Sequence, residues 1–433
     1  MRVELYFDFS CPYAYLAQGA VEPVVQAAGA TLCWRPMLLG GVFRGLGMAD
    51  TPMARLPPVK ARHNLDDMQR WARRRAVPLR MPAGHPLRTV RALRALLSLA
   101  EATWPPVIHA IYRAYWVDGI DISTEDGLRQ ALARGGVTGD ALDRALRADG
   151  DEAIKEELRR RTDEALARGV FGAPAFFVDR EDGSAPLPFW GQDRLDMVAA
   201  TLDGWDPDGG RPPRPGPASA VAALPRPPRP GATGRGVDFW YDFSSPFAYL
   251  GSTQIERAAA DAGATVTWRP MLLGAVFREI GTPNVPLFAV SEPRRRYLGR
   301  ELAYWASFWG VPFRFNRRFP QNTVTALRLA IQAGPAIAPL SHALYRAMWV
   351  DDRDLQDEAT LRALVAAQGL DADALLAGAA TPAVKQALFE STAAAIAAGV
   401  FGAPTTVAKV PGAADQLFWG QDRLELVTDA LCA

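Results

Sequence analysis

The chain has 433 residues, and 48 Lys plus Arg stand against 47 Asp plus Glu for a formal charge of +1. That balance excludes the basic footprint of a protein that binds nucleic acid or an anionic membrane surface. Hydrophobic residues at 49% and charged residues at 22% exclude wholesale disorder, and no apolar run approaches the ~18 residues a membrane helix needs. Residues 3–9 alternate apolar and acidic side chains and then meet Ser10-Cys11-Pro12. This is a strand running into a helix start, with Pro12 in the first turn, where its missing N–H is harmless. The helix is predicted over 13–28, with Gly29 as its stop, and a second strand over 31–36 completes a βαβ unit. From about 57 to 169 the chain is rich in Ala, Leu, Arg and Glu at helical spacing, punctuated by prolines at 78, 82, 86, 105 and 106. This predicts a helical subdomain inserted into the sheet. A late strand over 174–178 and a terminal helix opening near Asp193 close the unit.

Residues 206–236 hold Arg-Pro-Pro-Arg-Pro twice. Proline at this density predicts a semi-extended, solvated spacer. Beyond it the same unit begins again at Val237, with its late strand over 404–407. Trp34-Arg-Pro-Met-Leu-Leu-Gly40 recurs unchanged as 268–274. Gly169-Val-Phe-Gly-Ala-Pro174 recurs as 399–404, and Phe189-Trp-Gly-Gln-Asp-Arg-Leu195 as 418–424. Such a long period is not a solenoid but a tandem duplication of a whole domain. The expected organisation is a first domain over 1–203, a linker over 204–236 and a second domain over 237–433.

The candidate chemistry lies at the first strand-to-helix turn, at Cys11 in the first copy and Ser245 in the second. A helix N-terminus carries about half a positive charge and free N–H groups, a field that favours a thiolate. An ordinary N-cap also favours serine there, and a cysteine also serves as a small hydrophobe. The second element is Gly-Ala-Pro before the late strand. A cis-proline there leaves the preceding backbone free for a ligand, whereas a trans one is a plain strand start. Cys33 and Cys432 read as incidental. Three cysteines without a CxxC motif make a poor disulfide framework, and four scattered histidines hold no metal site. His63 aligns with Tyr297 and His109 with His342; none has a visible partner, and all read as packing or surface residues. Asp8 and Asp242 read as structural acids under the turn, and Arg35 and Arg269 as partners of a buried acid. Residues 1–9 lack the features of a secretory signal, so a cytoplasmic protein is expected.

An active turn facing a cis-proline, with a helical insert of this size, is similar to the DsbA-like branch of the thioredoxin fold. Within it, Asp-Phe-Ser-Ser-Pro-Phe-Ala-Tyr-Leu, Trp-Arg-Pro-Met-Leu-Leu-Gly, Gly-Val-Phe-Gly-Ala-Pro and Phe-Trp-Gly-Gln-Asp-Arg resemble 2-hydroxychromene-2-carboxylate isomerases and kappa-class glutathione transferases. The resemblance implies an α/β fold with two thioredoxin-like domains, each with a large helical insertion. It implies glutathione as cofactor, with Ser245 meeting its sulfur and Cys11 as a departure. It assigns glutathione contacts to Ala403-Pro404 and Ala173-Pro174, to Gln421 and Asp422, to Gln192 and Asp193, and to Arg294 and Lys60. Substrate contacts fall on Asn284, Asn322 and Arg88. The first copy departs at Cys11, Thr51 and Arg88, so the second keeps more of the polar site.

The expected function is a glutathione-dependent isomerase or transferase acting on a small aromatic carboxylate, in which a thiolate adds to a conjugated bond and leaves again. The alternatives are a monothiol disulfide oxidoreductase using Cys11, which lacks a resolving cysteine, and a non-catalytic thiol-binding scaffold. The resemblance further implies an internal pseudo-dimer of the two copies in a monomeric chain.

Overall fold

The computed structural model describes residues 1–48, 56–225 and 234–433. Thr51 and residues 226–231 of the second Arg-Pro run lie outside them. The first copy builds a four-stranded sheet from β1 (Arg2–Phe7), β2 (Thr31–Pro36), β3 (Ala175–Asp179) and β4 (Leu187–Trp190), in the order β2-β1-β3-β4. β1 runs parallel to β2 and antiparallel to β3, and β3 runs antiparallel to β4. The second copy repeats this with β5 (Gly236–Tyr241), β6 (Thr265–Pro270), β7 (Thr405–Lys409) and β8 (Gln416–Trp419), in the order β6-β5-β7-β8. These are two thioredoxin-like α/β domains. β4 and β8 are strands that the pattern reading missed, because four residues ending in Phe-Trp are too short for a periodic signal.

The helix Pro12–Ala27 follows β1 and stacks Ala14, Tyr15, Leu16 and Val21 onto the core. Facing residues Leu5, Phe7, Phe176, Val178 and Phe189 are at most fully buried side chains of one sheet face, each with no accessible surface. The other face carries Glu4, Tyr6, Phe177, Pro188 and Trp190, as the register of the strands dictates. Six helices between Pro58 and Ala167 form the insert, matched by six between Glu292 and Ala397. Arg35 and Arg168 both engage the buried Glu4, and Arg269 and Lys409 engage Asp238. The arginines of the Trp-Arg-Pro repeat are thus partners of a buried acid.

The linker departs from a solvated spacer. Residues Pro217–Ala222 form a helix with Ala218 and Ala222 buried against the helix Pro12–Ala27. Pro217 sits at the first helical position, where proline is tolerated. The Asp203 carboxylate accepts from the N–H groups of Ala218 (3.0 Å) and Ser219 (2.7 Å), capping that helix. The Arg211 carbonyl accepts from Trp205 Nε1 at 3.0 Å and from the Ser307 hydroxyl at 3.3 Å, which ties the chain before this helix to the second copy.

Candidate functional site

In each copy the first turn is clamped from below. Asp8 is fully buried and accepts from Ser10 N (2.9 Å), Leu39 N (2.8 Å) and the Thr89 hydroxyl (2.6 Å). Asp242 accepts from Ser244 N (2.9 Å), Leu273 N (2.9 Å) and the Thr323 hydroxyl (2.6 Å). Burial pushes both carboxyls above their ordinary range, against these hydrogen bonds. The helical insert holds the turn from the other side. The Tyr112 hydroxyl and Trp116 indole donate to the carbonyls of Asp8 (3.2 Å) and Phe9 (2.9 Å), and Tyr345 and Trp349 do the same for Asp242 and Phe243.

Cys11 and Ser245 take the N-cap places at Pro12–Ala27 and Pro246–Asp261. Both Ala173-Pro174 and Ala403-Pro404 are cis. The Cys11 thiol donates to the Ala173 carbonyl at 3.1 Å and the Ser245 hydroxyl to the Ala403 carbonyl at 3.0 Å. Turn and cis-proline, read from positions 162 and 158 residues apart, do face each other. They differ in one respect: the Ser245 oxygen also accepts from Ala248 N at 3.1 Å, while Cys11 makes no side-chain cap bond. Burial, helped by Asp8, pushes the Cys11 thiol up to about 12 against the pull of nearby N–H groups. The helix field therefore does not hold a thiolate at Cys11 in this state.

The cis-prolines also anchor the acidic turn. The Pro174 carbonyl accepts from Gly191 N and the Pro404 carbonyl from Gly420 N, each at 3.0 Å. Gly191 and Gly420 stand at φ +112° and +110°, and a Cβ on either would fall 2.4 or 2.5 Å from the following aspartate's Oδ1. Only glycine lets the chain turn there and press Asp193 or Asp422 against its own backbone.

These aspartates lie where the copies meet. Arg194 pairs with Asp422 and Glu301 of the other copy, each at 2.6 Å, and with Asp193 at 3.3 Å. Arg423 pairs with Asp67 (2.9 Å) and Asp193 (2.7 Å) of the other copy and with Asp422 (3.0 Å). Each interaction has its mirror, as in an isologous interface. Burial pushes Asp67 and Glu301 up, whereas Arg194 and Arg423 outweigh burial at Asp193 and hold it below its ordinary range.

The same reciprocity places residues that the sequence left without partners. The Tyr297 hydroxyl accepts from Trp190 N at 2.9 Å, and His63 Nε2 accepts from Trp419 N at 3.2 Å. Burial pushes His63 down to about 3, so it is neutral. His109 contacts Gln18 and Glu22, and His342 contacts Glu256 at 3.2 Å, which corrects their reading as unpartnered.

Lys60 and Arg294 cross over as well. Lys60 Nζ lies 4.5 Å above the Trp419 ring, and the Arg294 guanidinium 5.3 Å above Trp190. The sequence assigned each to its own copy, but each reaches a tryptophan of the other. Burial, then repulsion from Arg294, lowers Lys60 to about 8. Neither makes an ion pair among the described residues, and Arg294 Nε is buried with no hydrogen-bond partner.

The remaining candidates are less uniform. Gln192 is almost fully buried, and Arg75 takes both its side-chain oxygen (2.9 Å) and its carbonyl (3.1 Å). Trp309 stands at the matching place in the second copy. Arg75 is a neighbour of the candidate site that sequence reasoning missed; only its difference from Trp309 signalled it. Asn284 is exposed, with its Oδ1 2.8 Å from where a Cβ on Gly274 would stand. Arg88 and Asn322 are exposed and each precedes the threonine that binds the turn's aspartate. Asn322 Oδ1 also accepts from Val324 N at 3.0 Å, just before the helix Val324–Gln332.

Comparison with known proteins agrees with this architecture. A 2-hydroxychromene-2-carboxylate isomerase of Sphingobium xenophagum is 29% identical over 195 residues, 45% of this chain and 97% of that protein. The glutathione S-transferase kappa 1 of Rattus norvegicus is 29% identical over 209 residues, 46% of this chain and 91% of that protein. A solved 2-hydroxychromene-2-carboxylate isomerase structure has 28% identity and a TM-score of 0.40, over 45% of this chain and 94% of its own. The DSBA-like thioredoxin domain family matches residues 2–203 and again 236–432. The chain therefore belongs to the DSBA-like thioredoxin domain family, whose fold it carries twice.

Proposed function

We propose that the protein is a glutathione-dependent isomerase or transferase acting on a small aromatic carboxylate, with a thiol site in each copy. The observation that carries the reading is the join of three parts within each copy. A hydroxyl or thiol at a helix N-terminus faces the carbonyl before a cis-proline, and that proline is hydrogen-bonded to a turn bearing a partly buried aspartate.

The charge of the aspartate cluster supports the fit to glutathione. Four carboxylates (Asp67, Asp193, Glu301, Asp422) face two guanidiniums (Arg194, Arg423). Fully ionised, they leave two negative charges, one for the ammonium of a γ-glutamyl group in each copy. The unpaired Lys60 and Arg294 then suit the tripeptide's carboxylates. Asp422 and Asp193 hold the ammonium, and the backbones of Ala403 and Ala173 meet the cysteinyl unit. When bound, glutathione supplies the thiolate that adds to a conjugated double bond and leaves it again. Ser245 turns its O–H from the Ala403 carbonyl to the sulfur, and the helix N-terminus stabilises the negative charge there. Asn284 and Asn322 in the second copy, and Arg88 in the first, orient the substrate at the rim.

In the first copy the thiol of Cys11 stays protonated and acts as a hydrogen-bond donor, taking the place of the serine rather than that of a nucleophile. This counts against the disulfide-exchange alternative. Calorimetry with glutathione on the intact, reduced chain tests the reading. Two sites are expected, with Asp422→Asn removing one and Asp193→Asn the other. A titration with no saturable heat at millimolar glutathione would overturn it and leave the scaffold alternative.

A further inference from the structure

A cavity lies on the face of the first copy's sheet turned away from the helix Pro12–Ala27. It has a volume of about 180 Å³ and opens between the sheet of the first copy and the helix Glu292–Trp309 of the second. Its walls are Phe171, Phe177 and Trp190 on one side and Tyr297, Arg296 and Arg300 on the other. Phe177 and Trp190 belong to the sheet face turned away from the helix Pro12–Ala27, so the cavity is not the space between Cys11 and the cis-proline.

Two features describe what would fit. The walls are aromatic and the space matches one ring, since an apolar cavity of about 150 Å³ accommodates benzene. Trp190 and Phe171 lie 4.8 Å apart between centroids, so they touch each other and form one wall. The rim is cationic. Glu4 engages Arg168, which also lines the cavity, and Glu292 engages Arg296. Arg300 makes no ion pair among the described residues, so its guanidinium is the rim charge open to a ligand.

The second copy does not repeat these lining residues. Arg168, Phe177 and Arg300 correspond to Ala398, Val407 and Asp66. There Trp240, Val400 and Val407 pack in one apolar cluster with Met271 and Leu273. The asymmetry is therefore built from several independent substitutions, all adding ring surface or positive charge on one side.

We infer that this seam is a binding site for a small aromatic carboxylate, separate from the two thiol sites. The ring lies against Phe177 and Tyr297, beside the Phe171–Trp190 pair, and Arg300 pairs with the carboxylate. Because the cavity spans both copies, an occupant also bridges them.

Benzoate is the probe, titrated into the full chain and followed by tryptophan fluorescence and calorimetry, with cyclohexanecarboxylate as the non-planar control. The expected result is saturable benzoate binding that Arg300→Asp weakens at least tenfold. Saturating S-methylglutathione should leave it in place, and cyclohexanecarboxylate should bind more weakly. Arg300 is exposed, so its variant is expected to fold, and an unchanged far-ultraviolet spectrum checks this. Phe177→Val, which installs the second copy's residue, should weaken benzoate as well. Benzoate binding that is absent at 10 mM, unaffected by Arg300→Asp, or abolished by S-methylglutathione would overturn the assignment. Failure of glutathione to bind the thiol sites would not affect this outcome, since no step of the test uses them.

Discussion

At the scale of single residues, Cys11 and Ser245 show how one atom changes a site without moving it. Both donate to the carbonyl before a cis-proline at nearly the same distance, yet only the oxygen is a good enough acceptor to cap its helix as well. With burial pushing its thiol up to about 12, Cys11 is expected to react with iodoacetamide at pH 7.5 far more slowly than a free cysteine. Mass-resolved alkylation rates check this, and a fast rate at Cys11 would restore the disulfide-exchange reading. Cys11→Ser should leave the glutathione stoichiometry unchanged and add a cap bond. His63 carries a pH dependence of its own. Its proton is taken up near pH 6.5 in the unfolded chain but only near 3 in the folded one, so the unfolded state binds more protons in between. Stability is complete above about pH 6.5 and falls as pH drops toward 3. His63→Tyr copies the Tyr297 arrangement and should flatten that loss, read from urea midpoints between pH 7 and pH 4. An unchanged acid limb would show that His63 is not its source.

At the scale of elements, the helix Pro58–Arg74 and its counterpart Glu292–Trp309 act as arms reaching across to the other copy. Lys60 and Arg294 lie over tryptophans there, and Arg70 donates to the Leu417 carbonyl at 2.8 Å. Since burial lowers Lys60 to about 8, its charge in the folded, ligand-free chain is lost as pH rises through that value. Glutathione binding should therefore weaken above pH 8 in the wild type, and Lys60→Arg, which stays charged, should remove that part of the pH dependence. Calorimetric titrations at pH 7 and 9 compare the two; identical pH profiles would detach Lys60 from the ligand. The linker is also an element rather than a tether. Asp203→Ala removes the cap of the helix Pro217–Ala222 and should cost about 1 kcal/mol locally. Hydrogen exchange over 217–222 is the readout, and unchanged protection there would mean that packing alone holds the helix.

At the scale of the whole molecule, the two copies are joined through charge as much as through apolar packing. Arg194 and Arg423 each satisfy carboxylates of both copies. Arg194→Met leaves Glu301 buried without its cation and Asp422 with Arg423 alone, and should destabilise the chain by about 3–5 kcal/mol. Urea unfolding measures it, and a loss under 1 kcal/mol would mean that water reaches the cluster. Since each copy uses this face on the other, we propose that the chain is a monomer in solution. Light scattering is expected to give 47 kDa, and twice that mass would show that another surface joins chains.

The sequence determined what recurs in it. The duplication, the strand–turn–helix openings and the helical inserts were legible, because local propensity and repetition encode them, whereas the cis state of the two prolines came from the family resemblance. Asp193 and Asp422 were marked by the resemblance of the Phe-Trp-Gly-Gln-Asp-Arg repeat to the family's motif. Tertiary structure decided everything that depends on which copy a side chain faces. No periodicity says that Lys60 meets Trp419, that His63 accepts from a strand 356 residues away, or that Arg75 covers Gln192. It also decided the state of Cys11. The turn's field is local and visible in sequence, but desolvation comes from the whole surrounding fold, and at Cys11 desolvation is the larger effect.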